Sequence, residues 1–218
     1  MRVSDLISIH PRIYHMAEYG SEDSIRKHGL LSTTALLDLF EITGEKRFAL
    51  EKCRRAKTET ITHKEYGSAV IRDQQPMNDS MLSKCLNDGL TPPDWYEIIN
   101  SMAFFWSTRD RLRTFLSAPN YKDKMQTILT VDTKRLVERY HDNIRLCHIN
   151  SGCTRSIEHR RGLSTFKTIE EFDPREFKKS GKKNAIAEVS VKYSVPDISD
   201  VIISVDHVRG PESVDKLP

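Results

Sequence analysis

Long hydrophobic runs are missing from this chain of 218 residues. None approaches the roughly 20 apolar residues that a membrane-spanning helix requires, so no membrane partner is expected. The opening stretch Met1-Arg2-Val3-Ser4-Asp5-Leu6 has no apolar signal core and carries an early acid, which makes a cytoplasmic location the expectation. Cysteine is scarce: Cys53, Cys85, Cys147 and Cys153 are too few and too scattered for a disulfide scaffold. Cys147, His148, Cys153 and His159 match none of the common paired-ligand spacings for zinc, so no metal is expected. A large charge excess is missing too, because the net charge is only +3 and a uniformly basic chain is therefore excluded. The basic residues cluster instead at Arg54-Arg55, Arg160-Arg161 and Lys178 to Lys183, where they either steer a polyanion or form solvated loops. Internal repeats and low-complexity tracts are also lacking, which leaves a single domain over residues 1–218 with a core of ordinary size.

What is present reads as α+β, with helices concentrated in the N-terminal half and strands in the second. Ile13-Tyr14-His15-Met16 is a strand, and Ser21-Glu22-Asp23 caps a helix ending at His28-Gly29. Helical stretches follow over about 33–100, broken by a polar region, 57–80, that reads as loop with at most one short strand. Met102-Ala103-Phe104-Phe105-Trp106, Thr127 to Val131 and Ile144 to Leu146 are strands, and residues 150–183 are irregular and basic, with Phe166, Phe172 and Phe177 as anchors. The alternation in Ala185 to Val191 places Glu188 mid-strand among small apolar residues. A carboxylate there is either paired or at work, because burial disfavours its charge, or else it lies on an edge strand facing water.

Three elements line up in order: Tyr14-His15-Met16 leading into Ser24-Ile25-Arg26-Lys27-His28-Gly29-Leu30-Leu31-Ser32, then Phe104-Phe105-Trp106-Ser107, then Ala187-Glu188-Val189 with Val195-Pro196 beyond. In this order they resemble the ADP-ribosyltransferase superfamily, and within it the DarT-like branch that modifies nucleic acid. The resemblance implies a split mixed β-sheet holding NAD, as substrate, in a cleft, with about 33–100 as a helical insertion and about 150–184 as an acceptor-recognition loop. It implies that Glu188 stabilises the oxocarbenium-like charge formed when nicotinamide leaves, as in glycoside cleavage. His15 is then expected to donate a hydrogen bond to a ribose or to the nicotinamide region, with Met16 beside it. One of Phe104, Phe105 and Trp106 stacks on nicotinamide, Phe105 fitting the register best, and Ser107 stands where the family places a small residue. Arg72 faces the pyrophosphate, since Arg suits bidentate phosphate contact.

Arg155, Arg160, Arg161, Lys182 and Lys183 would contact acceptor phosphates, and Phe166 would stack on a base. The implied activity is ADP-ribose transfer to nucleic acid, DNA before RNA, by a toxin or defence enzyme with an antitoxin or an ADP-ribose-removing partner. Ile186, two positions before Glu188, departs from the Gln or Glu of arginine-modifying members, so a protein-arginine acceptor is not implied. Two other readings remain open: an NAD glycohydrolase using water, and a non-catalytic nucleic-acid-binding module.

Overall fold

Apolar alternation and well-placed caps account for most of the elements. The computed structural model describes residues 1–155, 157–180 and 185–218. In chain order these form α1 (Val3–Ile9), β1 (Arg12–Glu18), α2 (Glu22–His28), β2 (Leu30–Leu31), α3 (Thr33–Leu39) and α4 (Gly44–Glu51). Next come β3 (Glu59–His63), β4 (Gly67–Ile71), α5 (Asp79–Cys85), α6 (Pro92–Asn100), β5 (Met102–Trp106), α7 (Arg109–Leu116) and β6 (Met125–Asp132). The chain ends with α8 (Thr133–Tyr140), β7 (Ile144–Cys147), β8 (Glu188–Lys192), β9 (Ser194–Val195) and β10 (Ile202–Arg209). Side-chain oxygens of Ser32, Asn78, Thr108 and Asp132 accept from backbone N–H groups in the first turns of α3, α5, α7 and α8. Each start is thus fixed by a residue the helix itself does not contain.

Six strands make one sheet in the order β10-β6-β1-β5-β8-β7. Every pairing in it is antiparallel, so the protein is α+β with an antiparallel sheet rather than the mixed sheet expected. Alternation gives a strand its faces but not its direction, so the mixed sheet was implied by the resemblance and not by the residue pattern. The ladder between β1 and β6 runs over seven residue pairs, whereas that between β1 and β5 consists of the single pair Tyr14–Trp106. The sheet therefore parts between its two three-stranded halves.

One face, with Ile13, Phe105, Leu129, Val131, Val189 and Val191, packs against α1 and α8 through Leu6, Leu136 and Val137. The other, with Tyr14, Met16, Ile128 and Val208, packs against Leu112 and Leu116 of α7. The region read as loop over 57–80 contains the β3–β4 hairpin, paired from Glu59–Ile71 to His63–Gly67. Its outward residues are polar and its inner ones are few (Ile61 and Ile71 in a small core with Leu37, Phe40 and Leu50), so the alternation is faint in sequence. Regular pairing in β8 starts at Glu188, not Ala185, although the Ala187 N–H still donates to the Cys147 carbonyl.

Candidate active site

Where β1 and β5 part, a cleft of about 960 Å³ opens. That is the size of a pocket for a nucleotide-sized molecule. Residues of β1 and β5 line it together with the β3–β4 hairpin, α2, α7 and the turn at Asn150 to Cys153.

Glu188 lies in this lining and is only 5% exposed. Register places it opposite Trp106 on one side and Cys147 on the other, so its carboxyl leaves the sheet on the face that Trp106 shares. Both carboxyl oxygens sit 3.2 Å from the Ser151 backbone N–H, which donates to them. Burial pushes the Glu188 pKa up to about 7, against the pull of the Ser151 hydrogen bond and the charges of Arg111 and Arg161. Near neutral pH this group therefore changes charge, as a carboxyl matched to catalytic work does.

His15 also lines the cleft, half-buried, with its ring edge-on to Phe105 at 5.9 Å between centroids. Its Nδ1 is 2.8 Å from the Phe104 carbonyl oxygen. A carbonyl only accepts, so Nδ1 carries the proton. Burial lowers the His15 pKa to about 4, more than the Phe104 hydrogen bond raises it. The ring is neutral at pH 7, and Nε2 presents a lone pair. The donor role expected for His15 is thus corrected: towards a ligand this histidine accepts.

Of the aromatic strand, Phe105 is 1% exposed and belongs to the core beneath His15, so it offers no face for stacking. Phe104 and Trp106 are half-buried and line the cleft. Ser107 does not reach it: its hydroxyl donates to the Ile186 carbonyl at 2.5 Å and its own carbonyl accepts from His10, which makes it a clamp under the β8 approach. Met16 borders the cleft, but its side chain is buried with Tyr14 and Leu112 across the sheet from His15. Arg72 is where a ligand could meet it: it follows β4 into the cleft, donates to Gln126 Oε1 at 2.5 Å, stands 3.8 Å from Glu18, and lies over the Tyr121 ring at 5.4 Å. Burial lowers its pKa, and Tyr121 and Glu18 oppose that shift.

The residues expected to grip nucleic acid separate. Arg155 is exposed and borders the cleft. Arg160 is exposed but committed, donating to Asn87 Oδ1 and to the Lys84 and Leu86 carbonyls. Arg161 is 1% exposed and donates to the His159 and Cys153 carbonyls and to Cys85 Sγ, so it staples the 153–161 loop to α5 and contacts no solvent-borne phosphate. Phe166 is half-buried, stacks on Trp95 at 5.7 Å and meets Phe104 at 6.0 Å, so one side of its ring is committed to that cluster. Lys182 and Lys183 lie outside the described residues.

Residues that the sequence reading passed over complete the lining. Arg111, on the first turn of α7, shares the cleft with Glu188 and is electrostatically coupled to it: burial lowers its pKa and Glu188 raises it. Ser151 supplies the N–H that holds Glu188. Arg55 is buried and, among the described residues, its guanidinium donates to neutral acceptors, the Leu50 and Arg72 carbonyls and Asn100 Oδ1, 3.0 Å away. Among the described residues no group of three or more His, Cys, Asp and Glu side chains converges as a metal site, and no helix is long and apolar enough to cross a membrane.

No curated protein and no solved structure matches this chain. The model of a family of unknown function, DUF7002, matches residues 11–202, and the chain belongs to that family.

Proposed function

We propose that the protein is an NAD-dependent ADP-ribosyltransferase of the superfamily it resembles in sequence, with the parted sheet as the NAD cleft. The observation that carries this reading is Glu188, a buried carboxyl held by a backbone N–H in the wall of a nucleotide-sized cleft. NAD lies with a ribose hydroxyl donating to His15 Nε2, its pyrophosphate on Arg72, and its nicotinamide against Trp106 or Phe104. Nicotinamide departs with the electron pair of the C1′–N bond, and the ionised Glu188 stabilises the positive charge that grows on the ribose. The acceptor forms the new bond to C1′ and releases one proton, so that NAD⁺ and acceptor–H give ADP-ribosyl acceptor, nicotinamide and H⁺. A nucleic-acid acceptor is supported, among the described residues, by Arg155 at the cleft border. Such an acceptor would make the protein a toxin or defence enzyme needing an antitoxin or an ADP-ribose-removing partner.

The test is to incubate the protein with NAD, with and without single-stranded oligonucleotide, and to weigh every product. Nicotinamide release with an ADP-ribosylated oligonucleotide is expected, and Glu188→Ala should cut release about 100-fold or more while the chain stays folded. Free ADP-ribose alone would mean that water is the acceptor. No nicotinamide release would overturn the proposal.

A further inference from the structure

The turn that holds Glu188 is itself held from outside the sheet. The Trp95 indole Nε1–H donates to the Ser151 carbonyl oxygen at 3.3 Å, and Trp95 is fully buried between that bond and the stacked Phe166 ring. Three residues on, the Thr154 N–H donates to the Pro76 carbonyl at 3.1 Å, while the Thr154 hydroxyl oxygen accepts from the Asn78 N–H at 2.9 Å. Both anchors come from residues 76–95, whose sequence suggested the end of a polar loop followed by helix. We infer that Trp95 is a positioning residue for the proposed reaction, acting through the Ser151 turn to keep a hydrogen-bond donor on the Glu188 carboxylate.

The physical reason is geometric. At 3.2 Å to both oxygens, the Ser151 N–H makes a shared and therefore weak hydrogen bond, which a displacement of a few tenths of an ångström abolishes. The other groups that act on Glu188 are the Ser151 hydroxyl on the same turn, the Arg111 and Arg161 guanidinium groups and the neighbouring Cys147 thiol. Arg111 stands on α7 and Cys147 on β7, so neither depends on Trp95, whereas the Ser151 turn does, and Arg161 is tied to that turn through the Cys153 carbonyl. A donor to the charged form favours that form, so slackening the turn should protonate Glu188 at higher pH.

This inference rests on the proposed role of Glu188, but its test needs no NAD. The carboxyl stretch of Glu188, assigned by its loss in Glu188→Gln, is followed by infrared difference titration in the full chain. Trp95→Phe keeps an aromatic ring against Phe166 and removes the N–H. The midpoint is expected to rise by about half to one unit, equivalent to a roughly 3- to 10-fold smaller ratio of carboxylate to carboxylic acid. Leu82→Val, in the same core cluster but away from Ser151, should leave the midpoint in place. Should Trp95→Phe fold poorly, 3-benzothienylalanine at position 95 replaces only the N–H by sulfur. An unmoved midpoint in a folded variant overturns the inference. If the midpoint moves but wild-type protein releases no nicotinamide, the positioning stands and the proposed activity fails. If both hold, nicotinamide release by Trp95→Phe should fall at pH 7 and recover at pH 9.

Discussion

Trp106 and Glu188 face each other as a registered pair across β5 and β8, at the one level of the sheet where β1 still pairs with β5, through Tyr14. Just beyond that pair the sheet opens. The carboxyl thus stands where the backbone ladder stops and the cleft begins, buried yet within reach of a ligand. Keeping an ionisable group there costs stability, and this gives a first prediction. Folding raises the Glu188 pKa from its ordinary value of 4.5 to about 7, so the folded chain binds the extra proton. The stability associated with that proton is fully present below pH 4.5 and is lost as pH rises through about 7. Glu188→Gln, which still accepts from the Ser151 N–H, should therefore match wild type in unfolding free energy near pH 4 and exceed it at pH 8, by about 1–3 kcal/mol. Equal stability at both pH values would contradict the buried, raised carboxyl.

The pH profile of nicotinamide release follows from the same group. The carboxylate is the form that stabilises a cationic ribose, so kcat/KM should fall on the acid side with an apparent midpoint near 7. His15, held to about 4, is neutral on both sides of that midpoint and should add no limb of its own between pH 5 and 9. A profile flat from pH 5 to 9 would remove Glu188 from the rate-determining chemistry.

Arg72 gives a prediction about binding rather than chemistry. Its planar guanidinium lies over Tyr121 and reaches Gln126, and a lysine ammonium cannot keep both contacts while meeting a phosphate with two donors. Arg72→Lys should raise KM for NAD about 10-fold, a loss near 1.4 kcal/mol, with kcat changed far less. Calorimetric titration with NAD in the Glu188→Gln background measures the affinity directly.

The strands β1, β5, β6 and β7, and the helix from Glu22 to His28, were legible because apolar patterning, first-turn acids and Gly29 coincide there, although the expected Ser21 cap is not made: its hydroxyl donates to the Glu18 carbonyl. Gly29 is a clear instance: its φ is +85°, and a Cβ would come within 2.6 Å of Pro196 Cα, so Gly29→Ala should cost about 2 kcal/mol or more and loosen the α2 wall of the cleft. Glu188 and His15 were legible from their order along the chain. What escaped were relationships that no local pattern encodes. Ser107 looks the same in sequence whether it faces a ligand or clamps Ile186. Phe105 fitted the register for stacking but faces the buried side, because which face of β5 opens depends on where β1 leaves it. Arg111 reads as an exposed helix position until α7 is set across β1 and β5, within electrostatic reach of Glu188.

The two arginines Arg155 and Arg161, six positions apart, separate a surface role from a structural one. Basic residues in an irregular segment read alike in sequence, yet Arg155 is exposed at the cleft border and Arg161 is buried, donating to the His159 and Cys153 carbonyl oxygens and to Cys85 Sγ. Arg161→Met removes a charged donor and leaves buried carbonyls without partners, which should destabilise the protein by about 3 kcal/mol. Arg155→Gln should leave the melting temperature unchanged. If Arg155 meets an acceptor phosphate, its loss should also lower the slope of log K against log salt for single-stranded oligonucleotide by roughly 0.7, the contribution of one phosphate contact. Fluorescence anisotropy over a salt series checks this at once: an unchanged slope in Arg155→Gln would withdraw the one described residue that supports a nucleic-acid acceptor, and the proposed reaction would then be tested against water.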